Sequence, residues 1–376
     1  MLSRLKNLIL LLRCFARFLV QGKADNVKSL KEYELALVWQ NAKLGDMVCT
    51  TPLFRAITKH FPGYAAPIYL SAMGARINGE VLAGSTDVTN YIIKSKNYTE
   101  NIESVRNLRP DVAFLCTPDF EALATLYLAR VPLVVAPRVV GGWSPYETTS
   151  YRLLSHLVVR APHHMYEYAP REYLRLLEPL GIKETDTTKH LSCRPSPLLD
   201  DEKGKFLVGI SPGAGNKIKN WGGEKFATVA DYLIEKYKAQ VVVFGGPADR
   251  EEVSSMLESV KNKNSIINLA DRINVEQLKE AISKLNLFIA VDTGPIYIAE
   301  AFGVPTIDIV GPMDEREQPP RGPLHLVVIP PERKRAELHI MNARSYDKVE
   351  ARRQIDSISV DMVTKASDEL LTQIKI

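Results

Sequence analysis

Asp292-Thr293-Gly294-Pro295 stands where an apolar run, Leu287 to Val291, stops and a small-residue helix closing at Gly303 begins. A second apolar run, Thr306 to Val310, follows, so the stretch reads strand, turn, helix, strand. Ligands of open α/β sheets bind at the carboxyl ends of strands, and a helix amino terminus there attracts anions. Pro295 suits a first helical turn. The same residues also fit an ordinary connection with Asp292 as a helix cap. Ser211-Pro212-Gly213-Ala214-Gly215-Asn216-Lys217-Ile218-Lys219-Asn220-Trp221 combines glycines with two lysines, as a loop cradling phosphates would. It has neither the Walker ending nor the dinucleotide spacing. Gly45-Asp46 places a carboxylate at the start of a helix, where it is either chemical or a cap. Phe244 to Glu252 is a strand-to-helix turn whose acidic groups suit ribose hydroxyls. His163-His164 has no Cys or acidic partner at ligand spacing, so no metal site is read there.

These loops need strands to hold them. Leu35 to Trp39, Ile68 to Leu70, Tyr91 to Ile93 and Val112 to Leu115 are short buried strands, and Leu53 to Phe61 and Pro170 to Glu178 are helical. A second α/β series opens at Phe206 to Ile210 and continues through Val241 to Phe244, Ile266 to Leu269 and Leu287 to Val291. Between them residues 186–204, rich in Thr, Pro, Asp and Lys, read as a linker. The expected architecture is α/β, with two Rossmann-like, doubly wound domains, 26–185 and 205–350, facing a central cleft. Residues 351–376 form a last helix expected to pack back on the first domain.

The 376 residues carry a net charge of +4 without long basic runs, which gives no ground for a nucleic-acid partner. Cys14, Cys49, Cys116 and Cys193 are scattered, as in a reducing cytosol. Residues 1–25 differ: Met1 to Val20 is strongly apolar but carries Arg4, Lys6, Arg13 and Arg17, and no acid precedes Asp25. A spanning helix needs about 20 apolar residues with few charges. A signal peptide needs a longer apolar centre than Leu8 to Leu12. The segment reads as an amphipathic basic helix lying in an anionic membrane surface; packing on its own domain is the alternative.

Leu44-Gly45-Asp46-Met47-Val48 with Pro52-Leu53, Ser211-Pro212-Gly213-Ala214 with Lys219-Asn220-Trp221, Phe244-Gly245-Gly246, and Asp292-Thr293-Gly294-Pro295 with Gly303-Val304-Pro305 and Gly311-Pro312 occur in that order. Together they resemble glycosyltransferase family 9, the lipopolysaccharide heptosyltransferases, over nearly the whole chain after the first helix. The resemblance implies the GT-B fold and inverting transfer of heptose from ADP-heptose to the inner core of lipopolysaccharide. Asp46 would be the general base and Lys219 would balance charge on the departing diphosphate. Ser211, Gly213, Phe244, Gly245, Glu251, Asp292, Thr293, Gly294 and Tyr297 would form the donor site, with Glu252 the fallback for Glu251. Lys94 and Lys96 would meet anionic groups of the acceptor.

The chain has no Asp-x-Asp motif, so the expectation is metal-independent catalysis with no cofactor beyond the nucleotide-sugar donor. Two departures stand out. Tyr297 occupies a position where the family usually has histidine, which bears on the donor. The carboxyl-terminal region lacks the family's frequent cysteines and carries Arg333, Lys334, Arg335, Arg344, Lys348, Arg352 and Arg353 instead. These form a solvated surface or face anionic groups. The expected enzyme is cytoplasmic and peripheral on the inner face of the cytoplasmic membrane, with a lipid-linked or lipopolysaccharide acceptor. Other nucleotide-sugar donors and a catalytically degenerate scaffold are the alternatives.

Overall fold

The computed structural model describes residues 2–41, 43–62 and 69–375. It divides into two compact units, Met1–Thr188 and Lys189–Ile376.

The first unit holds β1 (Leu35–Trp39), β2 (Tyr69–Gly74), β3 (Asn90–Ile93), β4 (Val112–Leu115), β5 (Leu133–Val140) and β6 (Val159–His164). They form a parallel sheet in the order β3-β2-β1-β4-β5-β6. Ile68, expected to open the second strand, lies outside the described residues. Its helices are α1 (Leu2–Gln21), α2 (Leu44–His60), α3 (Arg76–Leu82), α4 (Tyr98–Leu108), α5 (Phe120–Leu128), α6 (Thr149–Ser155) and α7 (Ala169–Leu174). β1 and β4 are buried on both faces, which is why they read as unbroken apolar runs.

Helix α2 begins at Leu44, so Asp46 does stand at a helix start, and it runs on through Pro52 into the stretch read as helical from Leu53. Proline offers no N–H to the carbonyl four residues back. The Thr51 hydroxyl donates to that carbonyl, Val48 O, at 2.7 Å.

α1 is docked by one face only. Leu10 and Cys14 are buried in the core formed with Leu123, Leu126 and Tyr127 of α5 and Leu154 of α6. Lys6 pairs with Glu121 at 2.5 Å. Burial lifts the Cys14 thiol to about 12. On the opposite arc Leu5, Leu8, Ile9, Leu12, Phe15, Leu19 and Val20 are exposed. Among the described residues no helix is long and apolar enough to cross a membrane.

The second unit holds β7 (Leu207–Ser211), β8 (Gln240–Val243), β9 (Ile266–Asn268), β10 (Leu287–Val291), β11 (Thr306–Ile309) and β12 (His325–Val328), ordered β12-β11-β10-β7-β8-β9 and parallel throughout. Its helices are α8 (Gly223–Tyr237), α9 (Arg250–Ser259), α10 (Val275–Ser283), α11 (Gly294–Ala301), α12 (Lys348–Asp356) and α13 (Val360–Gln373). In both sheets strand order reverses between the first and fourth strand, β1 and β4 or β7 and β10, and the crevice at such a reversal is where ligands bind.

Two expectations are corrected here. The segment read as a linker is built onto the second unit: Arg194 N–H donates to Glu276 at 2.7 Å, Lys284 reaches Ser196 O at 2.8 Å, and Lys189 is buried against Glu300. The last helix also belongs to this unit. Val363, Leu370 and Leu371 of α13 lie in one core with Leu233 of α8 and Ile307 and Ile309 of β11. Asp368 accepts hydrogen bonds from Tyr232 and Tyr237 at 2.7 Å each.

Candidate functional site

In the first unit the candidate chemistry gathers at the carboxyl end of β1. Asp46 is in the first turn of α2, and its Oδ2 accepts the Lys43 N–H at 3.0 Å. A capping role is therefore real, and it is compatible with chemistry because a carboxylate has several acceptor positions. Thr50 ties this turn down: its hydroxyl donates to Asp46 O at 2.7 Å and accepts from buried Gln40 Nε2 at 3.0 Å. Asn41 takes the Trp39 indole N–H at 2.6 Å and donates to Asp119 at 2.7 Å. Tyr173 is buried with Asp46, Cys49 and Cys116 in its electrostatic surroundings. Sequence reasoning did not assign Gln40, Asn41, Asp119 or Tyr173; the Asn41–Asp119 bond joins residues 78 positions apart, which no local pattern signals. Lys94 and Lys96 follow β3 at the same sheet edge, with Lys94 N–H bonded to Gly74 O at 2.8 Å.

His163 is buried, which lowers its pKa to about 4, and His164 meets Glu172. Among the described residues no group of His, Cys, Asp and Glu is placed to hold a metal ion.

In the second unit the glycine-lysine loop after β7 and the turn after β10 come together. The Lys219 ammonium lies 2.8 Å from Asp292 Oδ2 and donates to Asp292 O. Tyr297, on α11, is buried and donates its hydroxyl to Asp292 Oδ1. Tyr297 thus braces the carboxylate that holds Lys219. Thr293 is the residue preceding α11, and its side chain makes no capping bond. Pro295 is in the first turn of that helix, as expected.

Beneath this turn lies a buried charge cluster that the sequence reading did not assign. Asp308 stands on β11, opposite Ala290 of β10, and neither carboxyl oxygen has a hydrogen-bond partner. Burial, reinforced by the Asp292 carboxylate and opposed by Lys219, raises its pKa well above the usual carboxylate range. Lys189, fully buried, pairs with Glu300 at 2.6 Å, and its ammonium sits 5.9 Å from the centre of the Tyr297 ring. His325 contacts Thr306 at 2.9 Å, and burial lowers its pKa. With Asp308 protonated, Lys219 balances Asp292 and Lys189 balances Glu300. A lone aspartate inside an apolar strand, Thr306-Ile307-Asp308-Ile309, was the signal available.

The remaining predicted donor residues are dispersed around these groups. Ser211 is buried at the end of β7. A side chain at Gly213 would meet the Asp249 carboxylate at 2.5 Å, so glycine there lets two loops touch. Phe244 is buried, with its ring 5.9 Å from that of Phe288. Gly245 O accepts Asp271 N–H at 2.9 Å. Glu251 is exposed in the first turn of α9, whereas Glu252 is held by Lys217 at 2.8 Å and by Asn220. Four of the carboxyl-terminal basic residues are spent on ion pairs, Arg333 with Glu315, Arg335 with Glu337, Arg352 with Asp356 and Arg353 with Glu350. That surface is largely charge-balanced.

A sequence model of glycosyltransferase family 9 (heptosyltransferase) matches residues 154–345, just over half of the chain. Lipooligosaccharide heptosyltransferase 2 of Campylobacter jejuni is 24% identical over 277 residues, spanning 72% of this chain and 79% of that protein. Lipopolysaccharide heptosyltransferase 3 of Escherichia coli is 28% identical over 291 residues, 72% of this chain and 80% of the relative. The solved structure of E. coli ADP-heptose lps heptosyltransferase II superposes with a TM-score of 0.71 at 18% identity, covering 91% of this chain and 99% of that one. That likeness shows the fold.

Proposed function

The chain belongs to glycosyltransferase family 9, and on that premise we propose that it transfers heptose from ADP-heptose, with inversion, to a lipopolysaccharide-type acceptor. It is a glycosyltransferase; donor, stereochemistry and residue roles are the proposed part. The observation that carries the reading is the meeting of Lys219, Asp292 and the amino terminus of α11 at one turn of the β7/β10 reversal. A cation and a helix dipole aimed at one place suit a diphosphate leaving group. In the reaction an acceptor hydroxyl oxygen bonds to the anomeric carbon, the bond from that carbon to the phosphate oxygen breaks, and the nucleoside diphosphate departs. The hydroxyl proton passes to Asp46 as the new bond forms. Lys219, shared between Asp292 and the diphosphate, neutralises the leaving group without a metal ion.

Attachment to the inner face of the cytoplasmic membrane is the second part of the proposal. The exposed apolar arc of α1 enters the lipid boundary while its other face stays in the first unit's core.

Calorimetric titration with ADP, UDP, GDP and CDP, with and without magnesium, tests the donor. Preference for ADP without need of magnesium supports the reading, and preference for another base moves the donor to another sugar nucleotide. Asp46→Asn tests the base: turnover is expected to fall by roughly 10²–10⁴-fold with ADP affinity retained. Unchanged turnover removes Asp46 from that role.

A further inference from the structure

Helices α4 and α5 both end in arginines with left-handed backbone, Arg109 at φ 55° and Arg130 at φ 69°. Glycine or asparagine usually fills such positions, because a β-carbon there is costly. Both arginines, with Arg106 from the last turn of α4, line one cavity of about 460 Å³ walled by Pro110 and Val131. Arg106 donates to Leu128 O at 3.3 Å, and among the described residues none of the three arginines forms an ion pair.

The acid on the cavity wall is Asp111, and it is already engaged. Its Oδ2 accepts the Glu34 and Leu35 N–H groups at 3.0 and 3.1 Å, and its Oδ1 faces Lys28 at 3.4 Å. Basic side chains at helix carboxyl ends complement the dipole. That accounts for the sign of each charge but not for three arginines without an ion pair lining one hollow whose single acid is already engaged.

The cavity lies at the amino ends of β4 and β5, the sheet edge opposite Asp46. The chain leaving α1 runs beside it: Tyr127 donates to Gly22 O, Asn26 N–H donates to Pro132 O at 3.2 Å, and Lys28 reaches Asp111. The same end of α1 carries Leu19 and Val20, 85% and 86% exposed, with Val27 half exposed beyond them. An apolar anchor and an arginine-lined hollow therefore adjoin.

We propose that Arg106, Arg109 and Arg130 form a headgroup site for an anionic phospholipid of the bilayer into which α1 dips. The site rests on the membrane reading above and adds a specific lipid contact to it. Guanidinium groups suit the lipid phosphate because they present forked N–H donors and stay charged.

The test is flotation of the full-length protein with vesicles of phosphatidylcholine alone or with phosphatidylglycerol at 30%, a composition of roughly physiological surface charge. The variant is Arg106→Gln with Arg109→Asn and Arg130→Asn, because asparagine tolerates the left-handed backbone. Circular dichroism checks that it folds. The control, Lys261→Gln with Lys263→Gln and Arg272→Gln, removes the same charge from the second unit.

The arginine variant is expected to lose roughly fivefold in anionic-vesicle binding per arginine, on the order of a hundredfold in all, with the control nearly unchanged. Equal losses in both would mean diffuse attraction and would overturn the site. Calorimetry with inorganic phosphate and with a short-chain phosphatidylglycerol separates the sources; phosphate binding as tight as the lipid would make it a soluble-anion site and refute the proposal. Leu12→Ser with Leu19→Ser distinguishes the two levels of the argument, since it is expected to weaken binding to every vesicle. A wild-type protein that floats with neither vesicle sinks the membrane reading and the site together. One that floats with anionic vesicles, and does so equally with the arginines replaced, sinks the site alone.

Discussion

Replacing Asp308 with asparagine should stabilise the second unit, and by more as pH rises. Both oxygens of the native carboxyl are buried without partners near the Asp292 carboxylate, so the charged form is disfavoured and the folded pKa is raised. An unfolded aspartate titrates near pH 3.9. Above that pH the unfolded chain has released a proton that the folded chain still holds, so folding must retake it. This group's contribution is fully present below about pH 3.9 and is lost steadily as pH climbs towards the folded pKa. The slope within that window is about 1.4 kcal/mol per pH unit. For a unit of this size, each kcal/mol moves the midpoint by about 2–4 °C, so the shift is roughly 3–5 °C per pH unit. Asp308→Asn keeps the shape and has no proton to release. Thermal melts of both proteins at pH 5, 6, 7 and 8, followed by circular dichroism, should show midpoints diverging with pH by up to that amount per unit, until the folded pKa is passed, with the variant above. Midpoints that fall in parallel would show that Asp308 is ionised in the folded state, and the charge balance drawn for the Lys219–Asp292 turn would be wrong.

Two further outcomes follow from the packing and the site. Tyr297→Phe removes the buried hydroxyl given to Asp292; the second unit should lose about 1–3 kcal/mol in urea unfolding, and ADP should bind more weakly because Lys219 is held through that carboxylate. Gly223→Ala places a carbon 2.5 Å from Glu252 O and 2.6 Å from Met256 N, backbone atoms that cannot step aside. Forcing α8 off α9 should cost about 1–3 kcal/mol, read as a lower denaturation midpoint with an unchanged slope.

Much of this architecture was readable because parallel strands buried on both faces, such as Leu35-Ala36-Leu37-Val38-Trp39 and Leu287 to Val291, are short apolar runs bounded by turn residues. β5 and β6 were not read. Leu133 to Val140 is valine-rich but interrupted by Pro137 and Arg138, and Val159 to His164 contains Arg160, Pro162 and two histidines, so neither gives an unbroken apolar run. The continuity of α2 through Pro52 was not legible, because the bond proline cannot make is replaced by a threonine hydroxyl that no propensity anticipates. At the site, the loops and Lys219 were legible from glycine and charge. The partner choices were not: that Lys217 takes Glu252 or that Arg106, Arg109 and Arg130 line one hollow depends on tertiary geometry, and that Tyr297 turns back onto Asp292, five residues away, depends on the local path of the turn.

The place of α13 bears on how the chain is made. The sheet of the second unit is complete once β12 has been synthesised, yet Val363, Leu370 and Leu371, which close its apolar face, are added about 40 residues later. At roughly 5–20 residues per second, the nascent chain spends on the order of several seconds with that face open. During synthesis this is the surface a ribosome-associated chaperone would find, and a stop codon placed shortly before Val363 would leave it exposed for the lifetime of the protein.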